Sequence, residues 1–292
     1  MSEQNGRTHV FHAEAAVLHG RLELPLDQEI PTQTYLKLKQ DGGYFSQDAV
    51  PYRLEGLVSF TSAYTQVGGH DIEERKGGGW ATLSTAVVED LNILDIVTAD
   101  RVVSQISTRH PAHGYVPWVS LLGSRFENLR IAGHRVNLEI DPGIFGEEPV
   151  HDDHEKRDRK MMDVISGLDQ KDHHGEELPA DLPNGYPAWD DDPEVGDPDR
   201  TTTMRCSLVN ESYFDPRKIK YPGECSKHVI TIPHFGKIYL ATLHVEHSKF
   251  KDGNGVPKET HVELSMIKVK MGCIAAGTAA IASTRTNGTS HP

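Results

Sequence analysis

Apolar and polar residues alternate along most of this chain, which is the pattern of β-strands with one buried face. In residues 8–26, Phe11, Ala13 and Ala15 occupy one parity and Val10, His12 and Glu14 the other. This segment predicts two strands, separated near His19-Gly20. The same reasoning predicts further strands over Thr34–Lys39, Tyr52–Tyr64, Val229–Ile232, Gly236–His247, Thr260–Met271 and Thr278–Ser283, with a frayed tail after the last.

Two segments of the chain repeat one pattern, at residues 88–93 and 126–131. Both read apolar, Glu, Asp or Asn, Leu, polar, Ile, and they lie 38 positions apart. The repeat predicts two related strand units, within residues 80–108 and 118–141, and predicts that Leu91, Ile93, Leu129 and Ile131 belong to the core. Residues 99–107 have an alternative as a short helix, because Val102, Val103 and Ile106 also share a helical face.

Helical periodicity is scarce elsewhere, so the predicted fold class is all-β or nearly so: a β-sandwich or solenoid-like antiparallel sheets. Residues 1–141 are interpreted as a β-rich body that contains the two related units. Residues 142–203 form an acidic insertion rich in Pro, Asp and His, since 6 of the 17 prolines lie between positions 149 and 198. Residues 204–292 supply C-terminal strands that complete the same body.

The charge of this 292-residue chain is concentrated in the insertion. Residues 147–200 contain 18 acidic and 6 basic residues and so carry −12 of the formal net charge of −13. The rest is nearly neutral, without the basic surplus that phosphate binding requires, so no nucleic-acid partner is expected. No apolar run reaches the roughly 18 residues of a membrane span. The polar N-terminus does not match a Sec signal peptide, so a cytoplasmic location is expected, with export by another route left open.

A family resemblance is carried by residues 97–100 (Val-Thr-Ala-Asp) and 122–133, within residues 80–140, and by residues 236–241 and 271–273 near the C-terminus. These segments resemble an uncharacterised bacterial β-rich family close to proteins of the choice-of-anchor type. The resemblance covers about half of the chain, and its motifs are structural rather than chemical. It implies a β-rich bacterial protein and assigns no activity.

The strongest candidate for chemistry lies on the predicted hairpin of residues 236–271. If Ser248–Glu259 connects the strands, His244 lies opposite Glu263, Glu246 lies opposite His261, and all four share one face. Two imidazoles and two carboxylates are a ligand set for a divalent metal such as zinc, with calcium as the other candidate. The alternative is two cross-strand His–Glu pairs on a solvated face. The opposite parity, Ala241, Leu243 and Val245 against Val262, Leu264 and Met266, is predicted to be core.

Two weaker metal-binding candidates come from other segments. The acidic segment contains His151, Asp152, Asp153, His154, His173, His174 and Asp190–Asp192, which also suit a solvated loop. Cys225 and His228 have Cys-x-x-His spacing, with Cys206 and the distant Cys273 as further ligands. A Cys206–Cys225 disulfide is the alternative, and unpaired thiols are expected in a cytoplasmic protein.

The sequence contains no nucleotide-binding loop, nucleophile elbow or zinc-protease helix. The expected function is therefore a non-enzymatic β-rich structural, assembly or ligand-binding protein, with an unknown ligand and self-association through strand edges. A metal-dependent enzyme or metal-binding protein that uses His244, Glu246, His261 and Glu263 is the alternative. A carbohydrate-binding module is the second alternative, suggested by Trp80, Trp118, Trp189 and Tyr115.

Overall fold

The structure, a computed structural model, describes residues 2–4, 7–24, 27–54, 56–73, 78–114, 116–148, 156, 158–161, 163–164, 200–209, 224–226, 228–249, 257–272 and 276–291. Its strands are β1 (Ser2–Gln4), β2 (Arg7–Leu24), β3 (Gln28–Lys37), β4 (Gly43–Ala49), β5 (Tyr52–Leu54), β6 (Val58–Phe60), β7 (Ser62–Asp71), β8 (Trp80–Ile93), β9 (Val97–His110), β10 (Trp118–Ser120), β11 (Arg125–Glu127), β12 (Arg130–Ile131), β13 (His134–Arg135), β14 (Arg200–Ser207), β15 (Glu224–Ser226), β16 (Val229–Ile232), β17 (Gly236–Lys249), β18 (Pro257–Met271) and β19 (Ala276–His291).

These strands form two antiparallel sheets. The first sheet has the order β1-β2-β19-β18-β17-β16-β15, with β3 also paired to β2 and β14 to β17. The second sheet has the order β13-β12-β9-β8-β6-β5, with β10 and β11 paired to β9, and β7 paired to both β8 and β4. The first sheet therefore joins strands from both ends of the chain. The predicted all-β class is confirmed, in the form of a sandwich.

The predicted strands are correct in the C-terminal third up to Met271 and less accurate elsewhere. Val229–Ile232 is a strand as predicted, and the hairpin strands extend only two or three residues beyond their predicted ends. The prediction of a frayed tail is wrong, because β19 continues to His291. It pairs with β18 as far as Thr289 and with β2 as far as His291. The helical alternative for residues 99–107 is also wrong, since they lie within β9.

Three N-terminal predictions are corrected by the structure. Residues 7–24 form one strand rather than two. The strand predicted over Thr34–Lys39 begins and ends earlier, at Gln28–Lys37. The predicted strand over residues 52–64 is divided among β5, β6 and the start of β7. Gly20 lies within β2 and does not end the strand. At this position β2 approaches β19 so closely that a Cβ would collide with the backbone of Thr278 and Ala279. Glycine permits this close approach of two strands.

The core lies between the two sheets. Leu91, Ile93, Leu129 and Ile131 are all buried there, as the repeat predicts. Buried hydroxyl groups cross the same interface, where Ser104 Oγ lies 2.7 Å from Thr284 Oγ1 and Thr82 Oγ1 lies 3.0 Å from Thr286 Oγ1. The first sheet thus packs against β8 and β9 through both apolar contacts and satisfied hydrogen bonds.

A bend crosses the first sheet at one row of residues, which we call the fold line: Ala241, Met266, Ala282, Val17 and Thr34 on β17, β18, β19, β2 and β3. The residues of this row are not paired with each other, although the pairs directly on either side of the row keep the same register. Three members of the row have left-handed φ angles of 48–49°. Side-chain alternation changes phase here, so two consecutive residues of each of four strands face the core. These pairs are Leu240–Ala241, Met266–Ile267, Ile281–Ala282 and Val17–Leu18.

The repeated pattern marks a similar row in the second sheet. Both copies pair with β9, one on each of its edges, so Val102 lies opposite both Val88 and Phe126. The Asp of one copy, Asp90, and the Asn of the other, Asn128, both have left-handed φ angles, of 52° and 56°. Asp and Asn tolerate this conformation better than most residues. The two copies of the repeat therefore lie at the same position along β9, and in each copy the side-chain alternation shifts by one residue at the Asp or Asn.

Candidate polar site on the outer face of the first sheet

The predicted pairing of the C-terminal hairpin is confirmed. His244 lies opposite Glu263, and Glu246 lies opposite His261. All four side chains lie on the outer face of the first sheet, while the six residues of the opposite parity belong to the core, as predicted. The outer face is not fully solvated, since the four side chains are only 8–24% exposed.

His244 and His261 each form an ion pair along their own strand. His244 Nε2 lies 3.4 Å from Glu246 Oε1, and His261 Nε2 lies 3.6 Å from Glu259 Oε2. Residues two apart on a strand point to the same face, which places each imidazole beside a carboxylate of its own strand.

A row of alternating basic and acidic side chains continues from this hairpin across β19, β2 and β3. The register connects His244, Glu263, Arg285, Glu14 and Lys37 on five successive strands. Cross-strand neighbours of opposite charge stabilise a sheet. The row thereby extends the predicted four-residue patch to the N-terminal part of the chain.

Glu14 is the most deeply buried carboxylate of this row, with a side chain only 3% exposed. Its Oε1 lies 2.8 Å from His12 Nε2 and 3.4 Å from Lys37 Nζ. Burial by itself raises the pKa of Glu14, but the hydrogen bond with His12 and the charges of His12, Arg285 and Lys37 outweigh it and hold the pKa below its usual value. Glu14 is therefore a compensated buried anion at neutral pH.

The bend of the sheet brings residues from the other side of the fold line against this row. Lys268 Nζ donates a hydrogen bond to Glu263 Oε1 at 3.3 Å, although the two residues are five positions apart on β18. In a regular strand they would lie roughly 17 Å apart and on opposite faces. The phase change at Met266–Ile267 places both on the outer face, and their contact shows that this face is concave.

His19 lies beside Glu263 and Lys268 and is almost completely buried. Burial is the main cause that lowers the pKa of His19 to about 4, with Lys268 acting in the same direction and Glu263 opposing it. His19 is therefore neutral at physiological pH. We call the set His12, Glu14, His19, His244, Glu246, Glu259, His261, Glu263, Lys268 and Arg285 the His/Glu face.

Small residues form the floor of this concave face, immediately beside the fold line. Thr242, Ser265, Ser283 and Ala16 are neighbours in one row of the register and are all buried. Ser265 Oγ lies 3.1 Å from Ser283 Oγ, and Thr242 Oγ1 donates to the carbonyl oxygen of Ser265 at 3.3 Å. The site thus consists of a hydroxyl-lined floor between two walls of charged and imidazole side chains.

The predicted metal ligands lie partly inside and partly outside the described residues. Among the residues that the structure describes, no three His, Cys, Asp or Glu side chains converge in a way that could hold a metal ion. The ligand role of His244, Glu246, His261 and Glu263 stays a prediction. The acidic-segment candidates, His151 to Asp192, and Cys273 lie outside the described residues, as does the side chain of Cys225. Cys206 is buried, and its pairing with Cys225 stays a prediction.

The aromatic candidates do not form a surface platform in the described part of the chain. Trp80 is completely buried and stacks on His9, with ring centroids 4.8 Å apart. Trp80 therefore does not line a surface platform for carbohydrate. Trp118 donates its indole N–H to the carbonyl oxygen of Gly146 at 3.3 Å. Trp189 and Tyr115 lie outside the described residues.

Sequence reasoning missed six of the ten residues of the His/Glu face: His12, Glu14, His19, Glu259, Lys268 and Arg285. One signal was present, because His12-Ala13-Glu14 has the same His-x-Glu spacing as His244-Val245-Glu246. The pairing of β2 with β19, which brings these segments into one sheet, has no local signal in the sequence.

One known protein family matches most of this chain. The family described as "Domain of unknown function (DUF8256)" matches residues 9–246. The chain belongs to this family. The DUF8256 match extends from β2 into β17, whereas β18 and β19, which supply Glu263, Lys268 and Arg285, follow it. Neither a curated protein nor a solved structure matches the chain.

The resemblance to choice-of-anchor-type proteins has no support in the DUF8256 match and stays a prediction. In the described part of this DUF8256 member, no helix has the length and apolar character needed to cross a membrane.

Proposed function

We propose that this DUF8256 member is a non-enzymatic ligand-binding β-sandwich whose binding site is the His/Glu face. One observation supports this function above the others. The outer face of an antiparallel sandwich is normally solvated, yet here charged and imidazole side chains are recessed around a buried hydroxyl floor. Two buried groups with shifted pKa values, Glu14 and His19, lie on this face, and such groups are common at functional sites.

The protonation states of these groups favour binding over acid–base catalysis. A general acid or base works best with a pKa near the operating pH. The pKa of Glu14 is lowered from an already acidic value, and that of His19 is about 4, so neither exchanges protons readily at neutral pH. Paired charges and hydroxyl groups suit a small polar ligand that carries both hydrogen-bond donors and acceptors.

A thermal-shift screen followed by calorimetry tests this function. The panel contains neutral sugars, amino acids, and di- and tricarboxylates, and each stabilising compound is then titrated against wild type and the double variant Glu263→Gln/Lys268→Met. We expect at least one compound to bind, and the double variant to weaken it by about tenfold, or 1.4 kcal/mol.

The matched control is Glu127→Gln, which removes a carboxylate paired with Arg125 on the second sheet. This variant should bind the compound like wild type. A panel without any stabilising compound, or equal affinities for wild type and the double variant, would overturn the proposal. Neutral sugars in the panel also test the carbohydrate-binding alternative.

The metal-dependent alternative has its own support in the cross-strand register of His244, Glu246, His261 and Glu263. Imidazole and carboxylate groups on one face are a suitable donor set for zinc, and carboxylates for calcium. Elemental analysis of untagged protein is the test. We expect close to one equivalent of metal if this alternative is correct, and its loss in His244→Ala/His261→Ala; less than about a tenth of an equivalent in wild type excludes it.

We also propose that the protein self-associates through strand edges, since unpaired backbone groups at the edge of a sheet can pair with another chain. The absence of nucleic-acid binding and the cytoplasmic location, both inferred from charge and sequence, stay predictions.

A further inference from the structure

Strand β4 is an edge strand with an open side. It pairs with β7 in unbroken register, from Gly43–Gly69 to Ala49–Ala63. Within the described residues, no strand pairs with its other edge. Five of its seven residues are exposed, whereas Phe45 and Ala49 are partly buried against the core. In the part of the chain that the structure describes, this edge therefore carries N–H and C=O groups that no strand pairs with.

The sequence of β4 lacks the usual protection of an edge strand. Natural edges are kept from pairing by Pro, by Lys, by bulges or by very short length. β4 contains neither Pro nor Lys, its register has no bulge, and Asp48 is its only charged residue. Tyr44 is 64% exposed, which adds an apolar surface next to the free backbone groups.

We propose that two copies of this chain pair antiparallel through β4, about a twofold axis at Ser46. This deepens the self-association proposed above by naming its edge and register. With the axis at Ser46 all seven residues of the strand find a partner, whereas any other axis pairs fewer. Tyr44 lies opposite the partner's Asp48 and Phe45 opposite the partner's Gln47, so no like charges face each other. The two second sheets become one continuous sheet.

A charge-swap experiment at the axis tests this register. Ser46 is exposed and opposes its own copy, so Ser46→Lys and Ser46→Glu each place like charges about 5 Å apart between their Cβ atoms. Sedimentation equilibrium at low salt, over about 1 to 300 µM protein, should show a wild-type dimer typical of a small interface. Each variant should weaken the dimer about fivefold, and an equimolar mixture of the two should restore it as a heterodimer.

Leu122→Lys is the control, because it adds the same charge at a residue that is 62% exposed outside β4. It should leave the dimer unchanged, and circular dichroism should show that every variant is folded. A dimer that Ser46→Lys and Ser46→Glu leave intact, or a mixture that does not recover, overturns the β4 assignment while self-association stands. Wild type that remains monomeric at all concentrations overturns both. Ligand binding at the His/Glu face is unaffected in each case and is tested separately.

Discussion

Protonation of the unfolded chain at His19 should make the folded protein less stable in mild acid. The folded-state pKa of His19 is about 4, against an ordinary value of 6.5. Above pH 6.5 the imidazole is neutral in both states and has no linkage effect. As the pH falls below 6.5, the unfolded chain takes up a proton that the folded chain does not, so stability decreases until about pH 4.

The magnitude follows from the two pKa values. Each pH unit between them is worth about 1.4 kcal/mol. Between pH 7.5 and pH 4.5 the loss attributable to His19 is therefore about 2.5 kcal/mol, a large part of the 5–15 kcal/mol by which most domains are stable.

Urea unfolding of wild type and His19→Gln at several pH values between 7.5 and 4.5 measures this effect. The variant has a neutral side chain at every pH, so its curve of unfolding free energy against pH should be flatter by about 2.5 kcal/mol. We also expect a constant loss of about 1–3 kcal/mol from altered packing, which does not change with pH. His134→Gln, at an exposed histidine of β13, is the control and should follow wild type. Parallel curves for wild type and His19→Gln would refute the reasoning.

Three further changes test other parts of the structure. Glu14→Gln should lower the free energy of unfolding by about 1–3 kcal/mol at pH 7, because His12 and Lys37 lose a buried anionic partner. Since the folded state lowers the pKa of Glu14, this loss of stability should shrink as the pH falls below 4.5. Equal losses at pH 7 and pH 3 would contradict this reasoning. Gly20→Ala should lower the midpoint of thermal unfolding, with a loss above about 2 kcal/mol, because its Cβ meets the backbone of β19; a variant as stable as wild type would show that β2 and β19 do not approach so closely. Asn128→Val should destabilise the protein by about 2 kcal/mol, since a β-branched residue is poorly suited to a φ angle of 56°, and Asn128→Gly should destabilise it less. Calorimetry that ranks the two variants in the opposite order would exclude a left-handed φ angle at this position.

The hairpin of β17 and β18 was accessible from the sequence because its information is local. Alternation over Gly236–His247 and Thr260–Met271 identifies two strands, and a short connection leaves few registers that place both apolar sets in the core. The pairing of His244 with Glu263 follows from that register. By contrast, alternation alone misled the prediction for residues 8–26, since the change of phase at Val17–Leu18 resembles the end of a strand.

The sequence by itself determined the all-β class, the core residues of the repeated segments and the face on which the hairpin carries its His and Glu residues. Each of these depends on side-chain periodicity, which is a property of contiguous residues. The tertiary structure alone decided that β19 pairs with β2, which places Arg285 between Glu14 and Glu263, and that the sheet bends at the fold line. Period-two alternation specifies which side of a strand is buried but not which strand lies beside it. Alanines with left-handed φ angles, such as Ala241 and Ala282, have no distinctive signal in the sequence. The concave His/Glu face is therefore a product of long-range pairing between segments that no local pattern connects.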